Sequence, residues 1–218
     1  MYQNVRGLKT KLTTLFVESF NFNHHVIIFT ETWLNDNIHN SEILSDDYHI
    51  YRCDRLDLYK KTGGGVLIAV SAKFPSEQII NSSINDIEFV AVKIKLGKKS
   101  LFISCSYIPP SSNADIYAKH LTAMKSAFMN SKTSDLLISL GDFNLPSISW
   151  TGSNNSNKMV PVIMNGCVNE FIESLFCYGL FQVNHIFNSY GKLLDLIFIN
   201  EPSEVSLHAS NPITLPED

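Results

Sequence analysis

The sequence predicts an α/β fold, and two observations carry the prediction. Short apolar runs bounded by Gly, Pro, Asn or Asp alternate along the chain with segments whose apolar residues recur at helical spacing. Several of those short runs end in a polar side chain, at Asn4, Glu31, Tyr107 and the Asp142/Asn144 pair, so an α/β core would gather these groups along one rim. With 218 residues, 44% of them hydrophobic, the chain can bury a full core and fits one large domain. Its formal net charge of −4 gives no global attraction to nucleic acid or to a membrane, which leaves local basic patches to do that work.

Residues 1–7 alternate in character and stop at a glycine, as the tail of a strand does, with Asn4 near its end. Over residues 8–20, Leu8, Leu12, Leu15, Phe16 and Phe20 follow helical spacing and predict a helix packed by one face on a sheet. Residues 26–29 are a compact apolar run that delivers Glu31 just past its end. Asn23-His24-His25 before it resembles a metal tract, but adjacent histidines point opposite ways in a strand, so it reads as a solvated loop. A short helix is expected at 37–45, a strand at 48–53 and a polar loop at 54–62 carrying Arg55, Lys60 and Lys61. Gly63-Gly64-Gly65 then opens a strand at 66–70; a phosphate-binding loop would need a Gly-Lys-Ser/Thr ending and a following helix, and neither is there.

Residues 87–96 and 101–108 alternate in β-branched and aromatic residues around 97–100, which predicts a hairpin, and two prolines beyond Ile108 forbid further pairing. Tyr107 by itself reads as an amphipathic side chain at a rim. Asn113 is a cap for a helix at 114–129, with Ile116, Leu121, Met124 and Phe128 on its buried side. The next stretch, 135–150, is the one the chain is organised around. Leu136, Leu137, Ile138 and Leu140 make a buried strand that ends at Gly141, and Asp142 and Asn144 share one face of the extended backbone beyond it. A carboxylate and an amide converging on one point can activate a water; they can equally close an Asx turn.

Residues 147–165, rich in Ser, Asn and Pro, predict a long surface loop, followed by an amphipathic helix at 168–176 closed by Gly179 and by strands at 180–184 and 193–200. Asp195 lies inside that last apolar run. A buried carboxylate needs a partner, and the candidates are a Lys or Arg, or a histidine that it orients. Cys53, Cys105, Cys167 and Cys177 are widely spaced without a Cys-x-x-Cys, which predicts core thiols. No apolar run approaches the roughly 18 residues of a membrane span, and no signal-peptide pattern opens the chain, so a soluble intracellular protein is expected.

Six motifs in order carry a more specific resemblance: Q-N-V-R-G-L at 3–8, T-E-T-W-L at 30–34, G-G-G-V-L-I at 63–68, S-Y-I-P-P at 106–110, G-D-F-N-L-P at 141–146 and L-L-D-L-I-F-I-N at 193–200. Together they resemble the exonuclease–endonuclease–phosphatase superfamily, and within it the apurinic-type endonuclease domain of non-LTR (LINE-type) retrotransposons. The resemblance implies a four-layered α/β sandwich, two mixed β-sheets face to face with helices outside. It implies hydrolysis of phosphodiesters with Mg²⁺ or Mn²⁺, and DNA nicked in the nucleus beside a reverse transcriptase. Glu31 and Asn4 would hold the metal, Asp142 would activate the water, Asn144 would orient it, Tyr107 would contact the phosphate and Asp195 would hold a catalytic histidine. Arg6, Arg52 and Arg55, with Lys9, Lys11, Lys60 and Lys61, are candidates for phosphate contacts along a duplex.

The expected final histidine has no match: His120, His185 and His208 all stand in other contexts. The expectation is therefore one domain over 1–218 with its first strand clipped and its last strand missing. Two alternatives accompany the DNA endonuclease: a remnant that binds DNA or metal without turnover, and a phosphodiesterase acting on a lipid or a nucleotide.

Overall fold

The computed structural model describes residues 1–55, 63–81, 87–153, 157–163 and 167–209. Two βαβ units form the scaffold. In the first, β1 (Tyr2–Asn4), α1 (Leu12–Ser19) and β2 (Val26–Thr30) place β1 parallel to β2, with Asn4 opposite Thr30. In the second, β7 (Lys99–Tyr107), α2 (Ala114–Phe128) and β8 (Leu136–Asp142) place β7 parallel to β8, with Tyr107 opposite Asp142. Antiparallel strands extend each unit. β3 (Tyr48–Cys53) and β4 (Val66–Ser71) complete a sheet of order β1-β2-β4-β3. β5 (Ser76–Asn81), β6 (Glu88–Leu96), β11 (Phe181–Gln182) and β12 (Asp195–Ile199) complete a second, of order β11-β12-β8-β7-β6-β5.

Strand alternation decides how the sheets stack. Ile28, Val66, Ile68 and Val70 face Val90, Val92, Ile94, Ile103 and Cys105 of the other sheet in one buried cluster, so the sheets pack face to face. The residues between them point outward. Ile27, Phe29, Leu67 and Ala69 meet Leu15 of α1 together with Ile43 and Leu44, while Phe89, Ala91, Phe102 and Phe198 meet α2 and α3 (Cys167–Cys177). Helix, sheet, sheet and helix make the four-layered α/β sandwich that the motifs imply.

Several elements depart from the sequence reading. The helix expected at 8–20 begins at Leu12, because the Leu8 N–H is drawn to the Thr32 carbonyl at 2.9 Å and joins the loop that carries Glu31. The helix expected at 37–45 is only a 3₁₀ turn, Asn40–Glu42, held by a reciprocal cap with His39. The Ser-rich stretch at 147–165 is not all loop: β9 (Ser149–Gly152) and β10 (Met159–Ile163) pair in it, with Trp150 and Met159 turned into the core. β5 is a strand that the sequence does not predict, since Ser76-Glu77-Gln78 has little apolar signal. The hairpin turns at Gly97-Lys98 alone, pairing Leu96 with Lys99 rather than leaving a four-residue loop. Cys53 and Cys105 are buried, whereas Cys177 is exposed at the end of α3 and is no core thiol. No helix among the described residues is long and apolar enough to cross a membrane.

Candidate active site

The carboxyl ends of the four βαβ strands open at the same end of the seam between the sheets. β8 is central. On one side Asp142 is opposite Tyr107 of β7; on the other it is opposite Asp195, the first residue of β12. Glu88 in turn is opposite Tyr107, so Glu88, Tyr107, Asp142 and Asp195 form a row across β6, β7, β8 and β12. Side chains in one row of a sheet share a face, and this one faces the other sheet.

From the other sheet, β1 and β2 bring Asn4 and Glu31. The Asn4 amide nitrogen donates to Glu31 Oε1 at 2.9 Å and to Asp142 Oδ2 at 3.1 Å, bridging a carboxylate of each sheet. Asn144 closes the cluster: its backbone N–H donates to Asp142 Oδ1 at 3.2 Å, and its Nδ2 donates to the Ile108 carbonyl at 2.8 Å. The Asx turn and the converging pair thus coexist. Backbone strain concentrates here, with φ of +46° at Arg6, +54° at Glu31 and at Trp33, and +48° at Asn144. Left-handed conformations at non-glycine residues persist only where surrounding contacts over-determine them.

The electrostatics follow from burial. Asp142 is pushed up to about 7, mainly by desolvation and then by the Asp195 and Glu31 carboxylates, with the Asn144 and Asn4 hydrogen bonds opposing. Burial, with Glu31 and Asp142 close by, pushes the Tyr107 phenol up to about 12, so it is a donor at neutral pH. Asp195 is raised by burial, and the Tyr2 hydroxyl that donates to it opposes that rise.

Tyr2 is the partner found for Asp195, in place of the Lys, Arg or histidine expected from the sequence. It also lies 3.2 Å from Thr30 Oγ1. Tyr2 and Asn4, two residues apart on one strand, share a face, which is the signal that could have found Tyr2. Of the candidate cations, Arg6 is exposed beside Asn4, its N–H donating to Asn4 Oδ1 at 3.2 Å, and its charge reaches Asp195. Arg52 turns inward, donating to the carbonyls of Ile38 at 2.7 Å and Asn35 at 3.3 Å and pairing with Asp54 at 3.4 Å. Arg55 pairs with Glu88, and Lys11 is buried with its ammonium on the Val5 carbonyl at 3.1 Å. These three are tied into the fold rather than free for a duplex; Lys9 is exposed, and Lys60 and Lys61 fall outside the described residues. His120 is buried against Ser106 and Phe89, away from Asp195.

The donor set can be tested against a cation. Among the described residues no group of three or more His, Cys, Asp or Glu side chains could by itself hold a metal, as the all-protein cage of a structural zinc does. What is present is oxygen: Glu31, Asn4 and Asp142 converge, with Asp195 adding negative charge that no ion pair offsets among the described residues. That set fits a hard divalent ion that uses one or two carboxylates and keeps several waters.

Comparison with known proteins agrees with this fold. The endonuclease/exonuclease/phosphatase family model matches residues 1–215. No curated protein matches the chain in sequence. Among solved structures, the endonuclease domain of TRAS1, a telomere-specific non-LTR retrotransposon, superposes with a TM-score of 0.59 at 14% identity, over 92% of this chain and 84% of that one. The 3′ phosphatase NExo from Neisseria, bound to a product DNA hairpin, gives 0.60 at 13% identity over 91% and 84%. An AP endonuclease from Archaeoglobus fulgidus gives 0.54 at 12% identity over 92% and 86%. At such identities the likeness is one of fold, and it is the family model, spanning nearly the whole sequence and all six motifs, that decides membership: the chain belongs to the endonuclease/exonuclease/phosphatase family.

Proposed function

We propose that this chain is a metal-dependent DNA endonuclease, the nicking domain of a non-LTR retroelement that works in the nucleus beside a reverse transcriptase. The observation that carries the reading is the Asn4 amide joining Glu31 and Asp142 across the seam, with Tyr107 and Asp195 on either side of Asp142. Glu31 and the Asn4 carbonyl oxygen would hold Mg²⁺ or Mn²⁺. When bound, such an ion neutralises charge developing on the phosphate and its leaving oxygen.

The chain's own residues supply the rest. Asp142, whose affinity for a proton is matched to neutral pH by burial, takes one from a water as that water's oxygen bonds to phosphorus and the bond to the leaving oxygen breaks. Asn144, its Nδ2 fixed on Ile108, offers Oδ1 and its remaining N–H to orient that water. Tyr107, protonated, donates to a phosphate oxygen. DNA as the substrate is supported by relatives of the same fold whose structures include it.

The test is nicking of supercoiled plasmid. Relaxed circles should form with Mg²⁺, not in EDTA, and not with Asp142→Ala. Absence of nicking in both Mg²⁺ and Mn²⁺, for this chain and for a version extended beyond Asp218, would sink the proposal. A second reading rests on the Tyr2–Asp195 bond, since among the described residues Asp195 holds a phenol and no histidine. In that reading the chain binds DNA and metal without turnover, and nicking appears only when a histidine-bearing strand is added.

A further inference from the structure

Behind Tyr107 lies a second polar assembly that the site as described does not use. Arg55 donates from Nε to Glu88 Oε1, and Glu88 Oε2 accepts from the Gly65 N–H at 2.6 Å. Both side chains are largely buried, with 15% and 11% of their surfaces exposed. The Arg55 guanidinium carbon lies over the Tyr107 ring, 5.5 Å from its centre, within cation–π range. Its Nη2 is buried with no hydrogen-bond partner among the described residues, so within them the group is held by Glu88 and the ring rather than by a full set of hydrogen bonds. Gly64, at φ +68°, leaves the space the assembly fills: a Cβ there would strike Glu88 Oε2 and lie 2.6 Å from the Arg55 guanidinium. Gly63, where a Cβ would lie 3.1 Å from Arg55 Nη1, and Gly64 are therefore the backbone clearance for an arginine, whereas a Cβ at Gly65 would meet Thr32 Oγ1.

We infer that Arg55, clamped by Glu88, is a positioning residue that sets the ring of Tyr107 against the scissile phosphate. The inference rests on the proposed nuclease reading for the role of Tyr107 but not for the brace itself. A guanidinium held over one face of a ring and tied through Nε to a carboxylate limits that ring's tilt, which a lysine ammonium at the same place, without the planar group, cannot do. Glu88 is opposite Tyr107 on the neighbouring strand, so the clamp and the ring it braces move as one element. This differs from a duplex contact, for which a buried, ion-paired arginine is poorly placed.

The experiment is a double-mutant cycle on nicking with Arg55→Lys, Tyr107→Phe and the pair, each variant first shown folded by its thermal transition. Arg55→Lys should lower kcat on the order of 10- to 100-fold with KM little changed, since it misplaces a group and removes no binding contact. In the Tyr107→Phe background the same change should cost nothing further. Multiplying losses in the double variant, or a raised KM with a shallower salt dependence of DNA binding, would overturn the brace and make Arg55 a direct contact. A readout independent of turnover is the fluorine resonance of 3-fluorotyrosine placed at position 107, expected to shift and broaden in Arg55→Lys. An unmoved line overturns the inference whether or not the wild-type chain nicks plasmid, so failure of the brace and failure of the nuclease reading are told apart.

Discussion

Asp142 and His120 are both buried, and burial drives their stability contributions in opposite directions with pH. Asp142 binds its proton up to about 7 in the fold but only to the ordinary 3.8 when unfolded. Between those values the native state holds the extra proton, so stability falls as pH rises and the full cost is present above about 7. Asp142→Asn removes that titration while keeping an acceptor for Asn144. Without divalent ions it should be more stable than wild type at pH 8 by about 1–3 kcal/mol, measured by urea unfolding, with no gain at pH 4. Nicking by the same variant should fall about 10²- to 10⁴-fold, the usual loss when a general base is removed. His120 is the reverse case. Its imidazole is pushed down to about 3 by burial, and its Nε2 has no partner among the described residues. Below the ordinary 6.5 the unfolded chain takes a proton that the native chain refuses, so stability falls as pH drops through that window, by about 2 kcal/mol at pH 5. His120→Gln should flatten that acid limb of the pH–stability curve; an unchanged limb would assign it to other groups.

Single elements were legible where one face is apolar and local signals agree. β2, β3, β4 and β8 appear where apolar runs meet Gly, Asn or Asp, and Asn113 caps α2 with its side chain accepting from the Ile116 N–H at 3.2 Å. β5 and β9 were not legible because Ser76–Asn81 and Ser149–Gly152 are mostly polar, and β10 was not because Pro161 interrupts Met159–Ile163, an apolar run set in a Ser- and Asn-rich stretch. The turn between β6 and β7 shows how much one residue matters. A two-residue turn puts Glu88 opposite Tyr107, while a four-residue loop would shift that pairing by two and conceal the Arg55 brace. Gly141 is the most constrained position within an element. Its φ is +145°, and an added Cβ would run into the Ser106 backbone of β7, with the Ser106 nitrogen at 2.9 Å. Gly141→Ala should therefore separate β7 from β8 at the residue before Asp142. It should lower stability by about 2–4 kcal/mol in denaturant titrations and reduce nicking even where the protein remains folded.

At the scale of the molecule, no local pattern could show that two βαβ units would point their strand ends at one seam. Tyr2 and Asp195 meet across a sequence separation of 193 residues, and Asn4 and Asp142 across 138. Composition and periodicity reach an α/β class; the ordered motifs, through family resemblance, reach the four layers and the named site residues. Neither reveals that Arg52, Arg55 and Lys11 are internal, because a basic side chain looks alike in sequence whether it meets water or a carbonyl. The seam itself makes the last prediction. If Glu31 and Asn4 hold a cation, the site exists only when both sheets are assembled, so the ion binds the native state alone and stabilises the whole sandwich by linkage. At a hundredfold excess over its dissociation constant, Mg²⁺ should add about 2.7 kcal/mol. For a chain of this length that corresponds to a rise in Tm of about 5–10 °C, reversed by EDTA. Glu31→Gln should abolish the rise, whereas Glu173→Gln, on the exposed side of α3, should leave it intact. A rise that survives Glu31→Gln would place the ion away from the seam, and with it the chemistry assigned to Asp142.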